Sequence, residues 1–363
     1  MRVGLVIYGS LDTLSGGYLY DRKLVNHLGA RGDQVEIVSL PWRSYAAHLS
    51  DNLSLRVFRR LRDLTVDVLI QDELNHPSLV GLNRWLRPRV DYPLVSLIHL
   101  LRFTEPRPAW QRSFHRWVEK AYLTSVDAFI FNSQDSQKQV ERLVGADRPS
   151  LIAYPAGDQL AATMEPESII KRARESGPLR LLFLGNVIPR KGLHTLVEAL
   201  ETLPRDDFRL YLVGSLAMAP TYVKRIRRQV ERMGLQDAIC FEGPQYDADL
   251  RGYLEHCHLL VMPSFYEGFG IVYLEGMSFG LPAIATTAGA AGEIIQHGES
   301  GSLIPPGDAQ ALKGRLRHFH ENRDALVAMS LSARQRFEAF PTWQESMASI
   351  RAFLVEVLEH WKN

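Results

Sequence analysis

A chain of 363 residues, 46% hydrophobic and 23% charged, holds enough apolar material for two domains of ordinary size and is not a disordered protein. Forty-two Lys and Arg stand against 41 Asp and Glu, a net charge of +1. That balance excludes a general nucleic-acid binder, which needs a strong basic excess to release counterions. The longest apolar runs, residues 179–185 and 259–263, are too short to span a bilayer. The N-terminus has one basic residue, Arg2, and an apolar core too short for a signal peptide, so it is expected to be a first strand. Two cysteines, Cys240 and Cys257, without CxxC spacing imply neither a disulfide framework nor a zinc site. A cytoplasmic protein is expected.

Short apolar runs alternate with amphipathic segments along the chain. Strands are predicted at residues 3–8, 35–40, 66–70, 94–99 and 128–132, with helices at 18–30, 112–124 and 136–144. After a polar stretch near 153–178 the grammar restarts, with strands at 179–185, 208–214, 239–242, 259–263 and 283–287. Helices are predicted between them at 192–203, 222–233, 249–256 and 270–279, and a last one at 343–361. Runs of this kind are buried on both faces of parallel sheets, so the fold class is α/β, two Rossmann-like doubly wound domains in tandem. The expected boundaries are 1–155, 156–342, and a C-terminal helix over 343–363 crossing back to the first domain. Residues 1–155 carry 20 Lys and Arg against 16 Asp and Glu; residues 156–363 carry 22 against 25. Ligands of such domains touch the loops at the carboxyl ends of the strands, which here would face a cleft.

The most informative loop is Pro263-Ser264-Phe265-Tyr266-Glu267-Gly268-Phe269-Gly270, running into Ile271 and on to Glu275 and Gly276. A buried strand ends, a glycine-containing turn carries Glu267, and a helix begins, whose first amides suit an anion. Two carboxylates beside a phosphate site would repel phosphates and instead suit sugar hydroxyls. The bland reading is an exposed carboxylate pair on a helix. Glu267 and Glu275 match the Glu-x7-Glu signature of retaining glycosyltransferases of the GT-B fold, and the surrounding PS-x-x-EGFG-x-x-x-LE-x-M-x-x-G-x-P resembles that family's usual context. The resemblance implies that Glu267 contacts the donor sugar and Glu275 the nucleotide ribose. It also implies that the amides of Phe269, Gly270 and Ile271 meet donor sugar and phosphate.

A second loop, Gly185-Asn186-Val187-Ile188-Pro189-Arg190-Lys191-Gly192, places adjacent cations at a strand's carboxyl end before a helix start. Cations there can offset the charge that builds on a departing diphosphate, without a metal. The family pattern is Gly-Arg followed by Lys-Gly; Lys191-Gly192 match, while Asn186 stands where the family often has Arg. Arg190 then supplies the missing guanidinium, with a solvated charge pair as the competing reading.

In the first domain, Gly17 opens a helix after the first strand, where the family has a Gly-Gly against donor phosphate or acceptor. His99 ends a strand; alone it reads as a structural histidine, and by resemblance it contacts the transferred sugar. Leu100-Leu101-Arg102 follow it, where relatives often have Asp first. Asp72 and Glu73 follow a strand on the acceptor side, either orienting an acceptor hydroxyl or capping a loop. Gln245 follows a strand where relatives hold the nucleotide base. Asp247-Ala248-Asp249 resembles a metal motif of another fold but sits at a helix start, where Asp is a routine cap. His256-Cys257-His258 and His318-Phe319-His320 lack further ligands nearby, so no metal is predicted. Residues 53–62, with Arg56, Arg59, Arg60 and Arg62, form a basic amphipathic element if helical. It suits peripheral contact with an anionic inner membrane face, or a solvated face packed on the sheet.

The implied activity is transfer of a hexose from a nucleoside-diphosphate sugar, UDP-glucose by family frequency, to an acceptor hydroxyl on a saccharide, lipid or small molecule. No cofactor beyond the donor is implied. A nucleotide-sugar-binding module without transfer activity and an epimerase on the same fold are the alternatives. A phosphorylase needs a pyridoxal-phosphate lysine and a longer chain. On sequence alone, Glu267→Ala is expected to abolish transfer and leave the fold intact.

Overall fold

The computed structural model describes residues 1–160 and 164–362, and the chain divides into two compact units. One comprises Met1–Pro155 with Pro341–Asn363, the other Ala156–Phe340.

The first unit is built on β1 (Arg2–Tyr8), β2 (Gln34–Leu40), β3 (Val68–Asp72), β4 (Leu94–Ile98), β5 (Ala128–Phe131) and β6 (Ser150–Ile152), all parallel, in the order β2-β1-β3-β4-β5-β6. β3, β4 and β5 are buried along their whole length, as the unbroken apolar runs require. The chain leaves β1 toward β2 and then returns to the other side of β1 as β3. That reversal sets a topological switch between β1 and β3, where loops diverge and leave a crevice. The helix Gly16–Ala30 follows β1, capped by Ser15, whose hydroxyl accepts from the Tyr18 amide at 3.3 Å.

The C-terminal helix Trp343–Lys362 belongs to this unit. Arg351 Nε lies 2.6 Å from Asp33, which also holds the N-terminal ammonium at 2.7 Å. Trp343 meets Tyr20 edge-on at 5.6 Å, and the Trp361 indole donates to the carbonyl of Asp91 at 3.2 Å.

The second unit repeats the plan with β7 (Leu179–Leu184), β8 (Phe208–Val213), β9 (Ile239–Gly243), β10 (Leu259–Met262), β11 (Ala283–Thr286) and β12 (Gly301–Ile304), parallel in the order β12-β11-β10-β7-β8-β9. Its switch lies between β7 and β10, which pair through Leu181 with Leu259 and Leu182 with Leu260. The loops after β7 and β10 are the two that carry the candidate motifs.

Several elements lie outside the sequence expectation. The edge strands β6 and β12 have three and four residues. The helix Pro166–Arg174 lies in the stretch read as weakly patterned, and Ala309–Glu321 and Arg323–Glu338 also went unpredicted. Asp247 begins a helix whose cap is Tyr246 and which has no side-chain cap bond, so Asp is not the cap there.

The segment Leu55–Arg62 is a helix capped by Ser54. Its only fully buried side chain is Leu61, and Arg60 reaches back to the Ser39 carbonyl of β2 at 3.1 Å. No helix of the described residues is long and apolar enough to cross a membrane.

Candidate functional site

In the second unit, the loops after β7 and β10 are laced together. The Phe265 amide donates to the Arg190 carbonyl at 2.7 Å, and the Arg190 guanidinium donates to the Tyr266 carbonyl at 2.7 Å. The turn is fastened on its other side to the loop after β11. Glu267 bridges Gly289, the Ala290 amide donates to the Glu267 carbonyl at 3.0 Å, and the Thr286 hydroxyl donates to the Ser264 carbonyl at 2.6 Å.

This framework holds Glu267 against the cations. Lys191 Nζ donates to Glu267 Oε2 at 2.6 Å, the Ser264 hydroxyl adds a bond at 3.2 Å, and Arg190 Nη1 lies 3.7 Å from Oε1. Burial works against the Glu267 charge, yet Lys191 and Arg190 outweigh it and hold the carboxyl below its ordinary range. Burial draws the Lys191 ammonium down, against the pull of Glu267. One carboxylate among two cations leaves a surplus positive charge for an incoming anion.

Gly192 makes the tight return possible. It has φ +69°, and a Cβ there would fall 1.9 Å from the Pro263 carbonyl oxygen. Gly192→Ala is therefore expected to lose at least about 2 kcal/mol of stability, a left-handed cost plus a backbone clash. Urea unfolding reads this directly; a loss below half that figure contradicts it.

The helix Ile271–Ser278 starts from Gly270, which has φ +98° and no side-chain cap bond. Glu275 lies inside this helix and differs from Glu267. It is buried, accepts from the side-chain amide of Gln159, and burial raises it to about 7. Gln159 comes from the segment packed against the helix, where a Cβ on Gly157 would meet the Leu274 carbonyl carbon at 2.6 Å. The two glutamates therefore share a motif but are shifted in opposite directions. Gln245 donates to the Glu242 carbonyl at 3.1 Å, a local bond after β9, and no bond joins it to either glutamate among the described residues.

In the first unit, the start of the helix Gly16–Ala30 and the carboxyl ends of β3 and β4 bring Gly17, Asp21, Asp72 and His99 together. A Cβ on Gly17 would approach His99 Cδ2 to 3.3 Å, so glycine lets the imidazole lie against the helix start. His99 Nε2 lies 3.1 Å from Asp21 Oδ1, and Asp21 is fully buried. Burial opposes a charged imidazole, but Asp21, Asp72 and Glu73 overcome it and raise His99 to about 9. Asp72 accepts from the Leu74 amide at 2.9 Å, so it caps the turn after β3; burial and then Asp21 push it up to about 7.

Glu73 turns inward to a second cluster. His76 Nδ1 lies 2.9 Å from Glu73 Oε1, and His76 Nε2 meets the Tyr45 hydroxyl at 3.0 Å. Glu119 joins from the helix Ala109–Leu123, accepting from the amides of Arg102 and Phe103 in the loop that follows His99. Burial raises both Glu73 and Glu119 to about 8. Asp21, Asp72 and His99, and likewise Glu73, His76 and Glu119, have ligand atoms within 4.8 Å of one another, close enough to share a cation. These are not the motifs weighed for metal in the sequence. The His258 imidazole accepts from the Arg180 amide at 3.0 Å and contacts the Arg172 carbonyl, a structural role.

Sequence reasoning gave no role to Asp21, Glu119 or Ser264. Asp21 had a signal: it falls at helical spacing with Leu24 and Leu28, a carboxylate on the buried stripe. Glu119 has the same signature beside His115, Val118 and Tyr122.

Known proteins resemble both units. The family model described as Glycosyl transferases group 1 matches residues 164–336, and that described as Glycosyl transferase 4-like domain matches residues 15–157. A D-inositol 3-phosphate glycosyltransferase of Xylanimonas cellulosilytica is 26% identical over 293 residues, 76% of this chain and 69% of that protein. The phosphatidyl-myo-inositol mannosyltransferase of Mycobacterium leprae is 27% identical over 371 aligned positions, 93% of each chain. Among solved structures, the sucrose-phosphate synthase from Thermosynechococcus elongatus superimposes with a TM-score of 0.83 at 21% identity, covering 99% of both chains. Anabaena HepE in complex with UDP and glucose gives 0.77 at 20% identity, covering 98% of this chain and 99% of that one. With both halves matched and both six-stranded parallel sheets in place, the chain belongs to the group 1 glycosyltransferases and has the GT-B fold.

Proposed function

We propose that this glycosyltransferase is a retaining, metal-independent hexosyltransferase that takes a UDP-sugar of the UDP-glucose type. The reading rests on one observation above all: Lys191, Arg190 and Glu267 converge at the switch of the second unit, beside the start of the helix Ile271–Ser278. Cations and a helix N-terminus there suit a diphosphate, and a fixed carboxylate suits sugar hydroxyls. The structural neighbour HepE, solved with UDP and with UDP-glucose, adds support for the donor class.

In this reading the bond from the sugar's C1 to the β-phosphate oxygen breaks as the acceptor oxygen bonds C1 on the same face. The departing diphosphate takes the acceptor proton, while Lys191, Arg190 and the helix start offset its growing charge. Glu267 positions the sugar, and Glu275 holds the ribose. Asp72 and Glu73 act from behind His99 on the acceptor side, since both are buried and both charges bear on its imidazole. The acceptor is a hydroxyl of a saccharide, lipid or small molecule.

Differential scanning calorimetry with UDP, GDP and ADP, each with magnesium or EDTA, tests this. A nucleotide at a hundred times its Kd stabilises the native state by about 2.7 kcal/mol, a rise of several degrees. The expected result is a UDP shift indifferent to EDTA, followed by transfer from UDP-glucose. A shift only with magnesium overturns the metal-free reading; no shift with any nucleotide overturns the donor site. Binding without transfer to any acceptor tried favours the binding-module alternative.

A further inference from the structure

The helix Ala109–Leu123 buries one face and leaves the other uncovered. Inward lie His115, Val118, Glu119 and Tyr122. Outward lie Trp110, Phe114 and Trp117, which are 71%, 41% and 68% exposed. At 3.6 residues per turn these three rings fall within an arc of about 60°. Single exposed apolar residues need no explanation, but three large aromatics in one stripe mark a contact surface. The charge around the stripe says what it contacts. Arg112, Arg116 and Lys120 are all exposed on the same helix, and its one acidic residue, Glu119, is fully buried. The outer surface of this helix is therefore aromatic and cationic with no negative group.

Aromatic rings with an apolar body and a polar edge, flanked by cations, match the boundary between lipid tails and anionic headgroups. A second copy of this chain fits worse. A two-fold contact through this stripe sets Arg112, Arg116 and Lys120 near their own counterparts, with no acid to offset them. We infer that the outer face of the helix Ala109–Leu123 docks the protein on an anionic lipid bilayer, with Trp110, Phe114 and Trp117 entering the headgroup boundary. The inner face of the same helix holds the loop after His99 through Glu119, so docking fixes the His99 side of the first unit at the lipid surface. This contact is distinct from the basic segment 53–62.

The test is co-sedimentation of the full chain with vesicles of phosphatidylcholine, with and without phosphatidylglycerol. The expected result is binding that needs phosphatidylglycerol, weakened at least about tenfold by Trp110→Ser with Trp117→Ser. Arg112→Gln with Arg116→Gln and Lys120→Gln should weaken it at least as much, because each lost cation removes attraction to the anionic surface. All of these side chains are exposed, so circular dichroism should show an unchanged fold. Arg56→Gln with Arg59→Gln should bind like the parent. Three outcomes overturn the inference: no binding by the parent protein, parent-like binding by the Trp variant, or loss only in the Arg56 and Arg59 variant. A parent dimer in light scattering that the Trp variant abolishes does so too. The assay uses neither donor nor acceptor, so its failure leaves the transferase reading standing.

Discussion

Glu267→Gln is expected to cut sugar transfer by about a hundred- to a thousandfold while the protein still folds, the scale of losing one preorganised polar contact at a reacting centre. Its carboxylate is aimed and ionised by its neighbours: Lys191 at 2.6 Å, the Ser264 hydroxyl at 3.2 Å and Arg190 at 3.7 Å. Glutamine keeps the shape and one acceptor for the Lys191 ammonium but removes the charge. Alanine is a worse probe, because its effect on transfer comes together with a stability cost. It strands Lys191, 12% exposed at its side chain, without its counter-charge. Breaking a buried pair from one side costs about 3–5 kcal/mol. Lys191→Met combined with Glu267→Gln should recover stability relative to Glu267→Ala and remain inactive, because it removes the buried charge along with its partner. Lys191→Met alone should also weaken UDP stabilisation of the native state. Initial rates and urea unfolding on the four variants and the parent separate the two effects. Transfer by Glu267→Gln within tenfold of the parent would sink the role given to this residue.

The unequal legibility of the two units has a physical origin. Parallel strands buried on both faces are continuous apolar runs, so β3, β4, β5, β7 and β10 could be read directly. The edge strands β6 and β12 pair on one side only and are too short to show a period. The helix Pro166–Arg174 was hidden because its buried set is Ile169, Arg172 and Ala173, and an arginine masks an apolar stripe. Arg172 is accommodated there by bonds to the carbonyls of Leu254 and Gly280.

The motif residues Lys191 and Glu267 were visible through their spacing, but their contact spans 76 positions of sequence. Only the strand order, with β10 returning beside β7, brings their loops together. Likewise Asp21 and His99 are 78 positions apart and meet because β3 returns beside β1 and β4 follows. Composition says nothing about such meetings. The opposite shifts of Glu267 and Glu275 were equally hidden, since the two look alike in the motif and differ by their neighbours alone.

The first unit is expected to lose stability as pH rises from about 6.5 to about 9, by a few kcal/mol in all, which is what one or two strongly shifted groups supply. The sign follows group by group. Asp72 at about 7, and Glu73 and Glu119 at about 8, sit above the ordinary values of 3.8, 4.5 and 4.5. Between each ordinary value and its raised one, the folded state keeps a proton that the unfolded chain has released, so stability falls with pH across that window. His99, raised from 6.5 to about 9, contributes stability that is full below 6.5 and lost through 9, the same direction. Asp33 and Asp67 are shifted down, and burial lowers His27, His48, His76 and His115 below 6.5; all of these act on the acid side of this window, where they add stability as pH rises. The four raised groups interact, so their effects do not add. Tryptophan fluorescence isolates the unit, because all six tryptophans, at 42, 85, 110, 117, 343 and 361, belong to it. Urea unfolding followed by this signal at several pH values and constant ionic strength should give a falling profile. Glu119→Gln should flatten it, since glutamine stays neutral, although its single carbonyl oxygen can replace only one of the two oxygens that accept from the Arg102 and Phe103 amides. A profile level from pH 6.5 to 9, or a Glu119→Gln protein with the parent's slope, contradicts the assignment of buried, protonated acids behind His99.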